Sequence, residues 1–438
     1  MAKTAQAFNV LPAPRFAREG DFLHISTIYP IDATGKVVHT NAVSPFVGEA
    51  EIAAQTRAVL ETLRSVLAEA GSSLERVVKA EVYLVDAADF YEFKLVWREF
   101  FPHDPPARAT AVVGDDHIIP GARLSLSAVA LAGNAKTKRE FIHVNDAPDP
   151  LEAEWCAQAI KAAPFVFPSP VPATDFKSGI AAGRDLRAPN YGSDTELQLQ
   201  YIFAQWAKIL RAAGSGLDQA LKAQAYERDL SNFHAMDRIW GEHIGRGAGT
   251  APPTRSSMAM RELLVPGALL VPNMMFLAPD AGHQKTESRK GLRWHPEELR
   301  NVHYSPGIFA GDWFFMAGQV AITDYKNLKS MTAPPGLPHY FSDIEIQTAA
   351  TMELLREQLE GNGLSLRNIV DARIFLVEPR RDYRGFERAW RRIFEPIGHW
   401  PSMNLIPSKQ ANGLGGVMMY DLIVEIDLTA HRQHRGGG

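Results

Sequence analysis

One stretch of this 438-residue chain, EIAAQTRAVLETLRSVLAEAGSSLERVVKAEVYLVDAADFYEFKLVWREFF from Glu51, returns twice more, from Glu196 and from Glu345. Gln55, Gln198 and Gln347 coincide in this register, followed by Gly71, Gly214 and Gly363, by Tyr83, Tyr226 and Phe375, and by Trp97, Trp240 and Trp390. A repeat of that order and spacing constrains the fold more than any local signal, because each copy must be one unit and neighbouring units must bury one another. Polar bridges after Gly133 and Leu277, rich in charge and turn residues and without a clear period, separate the copies. The expected organisation is residues 1–133 as a first domain, 134–150 as a linker, 151–278 as a second domain, 279–300 as a linker and 301–432 as a third domain.

Each copy reads alike. In the first, DFLHISTIYPID and GKVV suggest a strand pair. From Glu51 to Ala70 the residues Ile52, Val59, Leu60, Leu63, Val66 and Leu67 recur at helical spacing, and Gly71 is a natural stop. VVKAEVYLVD alternates as a half-buried strand, Ala88 to Phe101 returns to helical spacing, and ATAVV and ARLSLSAVALA supply two more strands. The predicted fold class is α+β, with three tandem ββαβαββ domains, each a sheet with two helices on one face. The other sheet face needs cover, which three linked copies supply by packing those faces together around a pseudo-threefold axis. The three tryptophans are expected in the core and the three glycines as helix C-caps.

With 46% hydrophobic and 22% charged residues, the chain is of the soluble globular kind. No run approaches twenty apolar residues and the start lacks the apolar core of a secretory signal, which points to a cytoplasmic protein. A single cysteine, Cys156, excludes an internal disulfide framework and a cysteine-based zinc site. The histidines show no metal-ligand spacing, so no metal is expected, and a formal net charge of -4 argues against a general nucleic-acid partner.

Beyond the repeat itself, PPARATAV (105–112) and PGARLSLSAVALA in the first copy, WCAQAIKAAPFVFPSPVP and PPTRSSMAMRELLVPGALL in the second, and HYSPGIFAGDWFFMAGQ and LIVEIDLTA in the third resemble the RidA (YjgF-type) family of reactive-intermediate imine deaminases. The resemblance covers nearly all of the chain apart from bridges and tails. It implies RidA-like (chorismate-mutase-like) domains assembled as a covalent version of the family's trimer, with a cleft between each pair of neighbouring copies. It also implies cofactor-independent hydrolysis of an imine, enamine or related C–N bond of a small carboxylated metabolite.

The same resemblance implies an arginine that anchors the substrate carboxylate, falling on Arg108 in the first copy and Arg255 in the second, with Met403 in the third. A guanidinium suits that task, being planar, permanently charged and able to meet a carboxylate with two parallel hydrogen bonds. The family's first-hairpin tyrosine falls on Phe16, Cys156 and Tyr304. Its serine at the end of the second strand falls on Ser26, near Pro168 and Ser169, and on Ala317. Its water-positioning glutamate falls on Ser125 and Glu425, with Asn273 the nearest polar candidate in the second copy.

No single copy carries the whole set, but each cleft draws on two copies. The expectation therefore names Arg108, Arg255, Glu425 and Tyr304 as catalytic, and Ser26, Phe16, Ser125, Cys156, Asn273 and Met403 as substrate-binding, with no metal and no organic cofactor. Cys156 has no recognisable histidine partner and reads as buried and inert. His103, His117, His243, His303 and His399 lie near cleft segments as weaker acid/base candidates. The expected partner is a small carboxylate, neither nucleic acid nor membrane, met by one chain acting as its own trimer. Two other readings stand open on the same residues: a metabolite- or protein-binding scaffold whose clefts have lost catalysis, and a chorismate-type carboxylate-processing enzyme.

Overall fold

A computed structural model describes residues 10–40, 48–114, 117–180, 192–280, 282–293, 303–324, 329–334, 336, 340–411 and 421–434. The first copy runs β1 (Phe16–Glu19), β2 (Phe22–Ile28), α1 (Glu51–Glu69), β3 (Val77–Leu84), α2 (Phe90–Phe100), β4 (Ala107–Val112) and β5 (Leu124–Leu131). After β6 (Glu140–Ile142) and α3 (Pro150–Glu154), the second runs β7 (Ala159–Ala162), β8 (Phe165–Pro168), α4 (Asp194–Ala212), β9 (Ala220–Glu227), α5 (Phe233–Ile244), β10 (Thr254–Ala259) and β11 (Leu270–Leu277). After β12 (Lys285–Ser288), the third runs β13 (Gly307–Ala310) and β14 (Trp313–Met316), then a ribbon of β15 (Ile322–Asp324) and β16 (Lys329–Ser330). It continues with α6 (Tyr340–Gly361), β17 (Ile369–Leu376), α7 (Pro379–Phe394), β18 (Ser402–Pro407), β19 (Gln410–Ala411) and β20 (Val424–His431).

The three sheets share one strand order, β1-β2-β5-β3-β4, β7-β8-β11-β9-β10 and β13-β14-β20-β17-β18. Within each, only the last pair is parallel. The bridges, which show no period in sequence, supply extra edge strands: β6 pairs with β7 and β12 with β13. β19 of the third copy adds to β10 of the second. Such additions cover edges that would otherwise present unpaired backbone groups.

In α1 the predicted apolar face is buried against the sheet. The glycines that follow the first long helix of each copy, Gly71, Gly214 and Gly363, have φ of 69°, 72° and 73°, and Ser72 N–H closes back on Leu67 O at 2.7 Å. That left-handed stop is what a glycine C-cap provides. Trp97, Trp240 and Trp390 are fully buried, as their repeated position predicts. No described helix is long and apolar enough to cross a membrane.

The central strand departs from its sequence reading. VVKAEVYL was expected to be half-buried, yet all eight residues of β3 are buried, as are all eight of β9. The polar alternates of these strands face the other two copies across the axis. Val78, Leu221 and Val370 pack there with Phe22, Phe165 and Trp313, whose rings stand 5.3 to 6.0 Å apart. Tyr83, Tyr226 and Phe375 form another layer. Between these aromatic layers lie two polar ones, Lys79 with Lys222 and Asp371, and Glu81 with Gln224 and Arg373.

Candidate active site

Strand register fixes which residues are equivalent. Arg108, Arg255 and Met403 pair with Ala80, Ala223 and Ala372, so they occupy one position in three copies. Ser125, Val271 and Glu425 face Tyr83, Tyr226 and Phe375, so the glutamate position in the second copy is Val271. Asn273 is one strand step away, opposite Gln224, and its amide donates to Glu81 Oε1 at 2.8 Å on the axis. In the first hairpins, Phe16, Ala159 and Gly307 face Ile25, Pro168 and Met316. The tyrosine position, three residues earlier, is thus Ala13, Cys156 and Tyr304. Phe16 packs on the core of its own copy instead. In both corrections the nearest chemical match in sequence stood at the wrong count along the ladder, and register counts residues.

The seam between the first and second copies holds Arg108, which is wholly buried. Its backbone N–H donates to Ser169 Oγ (3.0 Å), Nη2 to the Glu154 carbonyl (2.7 Å) and Nε to Thr110 Oγ1 (3.0 Å). The Glu154 carboxylate stands 3.8 Å away, and the rings of Phe90, Phe93 and Trp97 lie 5.0 to 5.5 Å from the guanidinium. Trp155 Nε1 donates to Phe101 O (2.7 Å) and Trp97 Nε1 to Trp155 O (3.0 Å). α3 and Trp155 therefore occupy this seam with the chain's own atoms. Burial raises the Glu154 carboxyl and pushes the Cys156 thiol up to about 12, which keeps the cysteine a neutral, unreactive thiol at physiological pH.

The seam between the second and third copies is built differently. Arg255 Nη2 donates to Asp237 Oδ1 of α5 at 2.6 Å, over the rings of Phe233 and Trp240 at 4.9 and 5.3 Å. Ser305 donates from N to Pro253 O (2.9 Å) and from Oγ to Pro252 O (2.7 Å), which lays the preceding Tyr304 beside the start of the arginine strand. Gly318 N–H donates to Arg255 O at 3.4 Å. Gln319 and Ile426 exchange backbone bonds of 2.9 and 3.1 Å, bringing Gly318 against Glu425. A Cβ on Gly318 would stand 1.9 Å from Glu425 Oε1 and 2.6 Å from Ser256 Oγ, so this close approach requires glycine. Ser256 Oγ in turn donates to Asp427 Oδ2 at 3.0 Å. Arg255, Tyr304 and Glu425 thus reach one seam from two copies, all buried.

In the seam between the third and first copies, Met403 is buried in an apolar cluster with Leu11, Ala13 and Tyr29. Met403 N–H donates to Ser26 Oγ (3.0 Å), which itself donates to Pro14 O (2.6 Å). Ser125 is buried on β5. Among the histidines, His117 Nε2 lies 3.1 Å from Tyr83 O and His399 Nε2 2.8 Å from Ile369 O, both backbone contacts. His243 rests on Phe203, and His103 is exposed. Only His303 borders the Arg255 seam, its ring lying where a Cβ on Gly241 would stand 2.5 Å away. Among the described residues no group of three or more His, Cys, Asp or Glu could hold a metal ion.

Asp237 and Glu227 were missed in sequence. Glu227 ends β9, where the other copies carry Leu84 and Leu376. It is buried beneath the Arg255–Asp237 pair, and neither carboxyl oxygen has a hydrogen-bond partner among the described residues. Burial pushes its carboxyl up to about 8, opposed by Arg255 and reinforced by Asp237. An acid where the sister copies hold leucine was the available signal.

The model of a family described as Endoribonuclease L-PSP matches residues 16–131 and 297–432, more than half of the chain, in the first and third copies. The 3-aminoacrylate deaminase RutC of Acinetobacter baylyi (strain ATCC 33305 / BD413 / ADP1) is 38% identical over 110 residues, 25% of this chain and 79% of that protein. A RutC family protein of Pyrococcus abyssi (strain GE5 / Orsay) is 35% identical over 103 residues, 23% of this chain and 73% of that one. The crystal structure of RidA from an Antarctic Psychrobacter species aligns at 23% identity with a TM-score of 0.25, covering 30% of this chain and 96% of that one. The chain belongs to the Endoribonuclease L-PSP family, of RidA/YjgF type, as three tandem RidA-like domains in a single polypeptide.

Proposed function

We propose that the chain is a cofactor-independent deaminase that hydrolyses an imine or enamine of a small carboxylate-bearing metabolite, working in the seam between the second and third copies. The observation that carries this reading is that the Arg255 strand and the segments bearing Tyr304 and Glu425 line one seam from two copies, held together by the contacts of Ser305 and Gly318. A relative named as a 3-aminoacrylate deaminase supports the reaction class. The substrate carboxylate exchanges with Asp237 on the Arg255 guanidinium, which meets it with paired hydrogen bonds. Glu425 accepts a proton from water as the water oxygen bonds to the imine carbon, and the proton passes to nitrogen. Collapse of the resulting carbinolamine breaks the C–N bond and leaves a carbonyl and ammonia. An enamine is first protonated on carbon to give the same imine. The Tyr304 hydroxyl shapes the pocket at the substrate's other end.

The existing Arg255–Asp237 ion pair favours one rival, in which the seam binds a carboxylate without turning it over. Ammonia release from freshly generated 2-aminoacrylate and 3-aminoacrylate distinguishes them. Saturable release that disappears in Arg255→Met supports the deaminase. No release from either substrate, together with an Arg255-dependent rise in melting temperature on adding carboxylates, establishes the binding reading instead.

A further inference from the structure

The polar layers on the pseudo-threefold axis line a partly open chamber of about 60 Å³, separate from the seams. Three cations and three carboxylates meet around it, and most satisfy one another. Arg373 Nη2 donates to Glu81 Oε1 at 2.6 Å, and Lys222 pairs with the Asp427 carboxylate. Asp371 accepts from Ser402 Oγ (2.7 Å) and Asn404 Nδ2 (2.9 Å).

The remainder is one-sided. Lys79 is 5% exposed and makes no ion pair among the described residues; its ammonium donates only to the Pro168 carbonyl, at 2.6 Å. Gln224 is 2% exposed, and its Nε2 has no hydrogen-bond partner among the described residues. Arg373 Nε likewise lacks one. Burying an ammonium with a single carbonyl acceptor and two N–H groups with none costs on the order of several kcal/mol in total, so their common chamber is a site shaped for an acceptor. Asn404 Oδ1 and Asp427 Oδ1, the latter ion-paired with Lys222, also lack hydrogen-bond partners but do not line the chamber; the unpartnered atoms that do line it, Gln224 Nε2 and Arg373 Nε, are donors beside the Lys79 ammonium, which favours an anion there.

We propose that the axial chamber binds one compact carboxylate of about four heavy atoms, the room that some four water-sized positions provide, held by the Lys79 ammonium and the Gln224 amide. The aromatic layer of Phe22, Phe165 and Trp313 gives the methyl end of such a ligand an apolar wall. This site is distinct from the deaminase seam, and either assignment can fail alone. The charged and titratable groups facing Lys79 are Glu81 on its own strand, Cys156 ahead of β7, Lys222 on β9, Asp371 and Arg373 on β17, and His24 on β2. Burial holds Lys79 down at about 7 and His24 down at about 4, so the ammonium is the donor that fades as pH rises through neutrality.

The test is calorimetric titration of the full chain with sodium acetate, against sodium chloride of matched ionic strength. The expected result is one saturable acetate site that survives Arg255→Met. It weakens at least about tenfold in Lys79→Met and several-fold in Gln224→Leu, and also weakens in the parent between about pH 6 and about pH 9. Lys79→Met removes a buried ammonium at the loss of its bond to the Pro168 carbonyl, and Gln224→Leu removes an unpartnered Nε2 at the loss of the bond from Asn273, so a cooperative thermal transition in each ligand-free variant verifies folding. Acetate binding that survives Lys79→Met but is lost in Arg255→Met belongs to the seam and overturns the proposal. So does the absence of a saturable site, or heat that chloride reproduces.

Discussion

The seams that hold Arg108 and Arg255 begin from the same strand position and the same aromatic floor, yet they end as different objects. Around Arg108 the neighbouring copy inserts α3, so that a backbone carbonyl and a distant carboxylate take the guanidinium and Trp155 closes the space. Around Arg255 the described part of the neighbour presents Tyr304, Gly318 and Glu425, while the arginine pairs with an acid of its own copy. The arginine at one repeated position is thus closed over by α3 and Trp155 in one seam and ion-paired with Asp237 in the other, and on the proposed reading only the second serves as a ligand anchor.

The largest effect expected from this contrast is on turnover. Arg255→Met should lower kcat/KM for aminoacrylate deamination by about a thousandfold, whereas Arg108→Met should stay within about twofold. Equal losses in the two variants, read by ammonia release, would erase the distinction between the seams. Glu425→Gln should cost about a hundredfold in kcat with little change in KM, because it removes proton transfer and leaves the carboxylate anchor. A fall confined to KM would move Glu425 from chemistry to binding.

Stability should show the reverse pattern. Arg108→Ala empties a packed, fully buried site and leaves Glu154 without its cation, so chemical denaturation should show a loss of about 3 kcal/mol with turnover retained. Glu227 gives the Arg255 seam a smaller, pH-dependent signature. Its folded carboxyl titrates near 8, above its ordinary range, so the folded chain keeps a proton that the unfolded chain releases. That contribution is complete below the ordinary value of 4.5, falls away progressively as pH rises, and is gone once pH passes about 8. Glu227→Gln should therefore match the parent's melting temperature below the ordinary value of 4.5, exceed it increasingly as pH rises to about 8, and keep a constant lead above that; parallel curves throughout would mean that Glu227 is already ionised. Last and smallest, Tyr304→Phe should reduce turnover only about threefold to tenfold, sharpening its part as a wall of the pocket.

Repetition made the architecture readable. Gln55, Gly71 and Trp97 recur with their counterparts because each serves a local need, a turn contact, a left-handed stop and a core aromatic, and those needs are the same in every copy. The arginine position was readable for the same reason. What escaped was anything decided between copies. Lys79 and Glu81 alternate with apolar residues just as solvent-facing side chains do, and only the other two sheets turn that face into an interior. Phe16 and Asn273 resembled the expected chemistry but stood off register, which a single sequence does not display. Asp237 was hidden because helix-borne carboxylates are common, and its meaning depends on the guanidinium 2.6 Å away.

The axial residues explain why the copies are no longer interchangeable parts. A symmetric assembly of the second copy alone would bring three Lys222 side chains together with three neutral Gln224, a cluster of like charge with no internal relief at those positions. In the fused chain the same place receives Asp371 and Arg373 from one sister and Lys79 and Glu81 from another, so opposite signs can meet at the centre. Covalent fusion thus frees the middle of the molecule from the rule that every subunit must be identical. Cutting the chain into thirds should yield pieces that prefer one another in fixed 1:1:1 stoichiometry over copies of themselves.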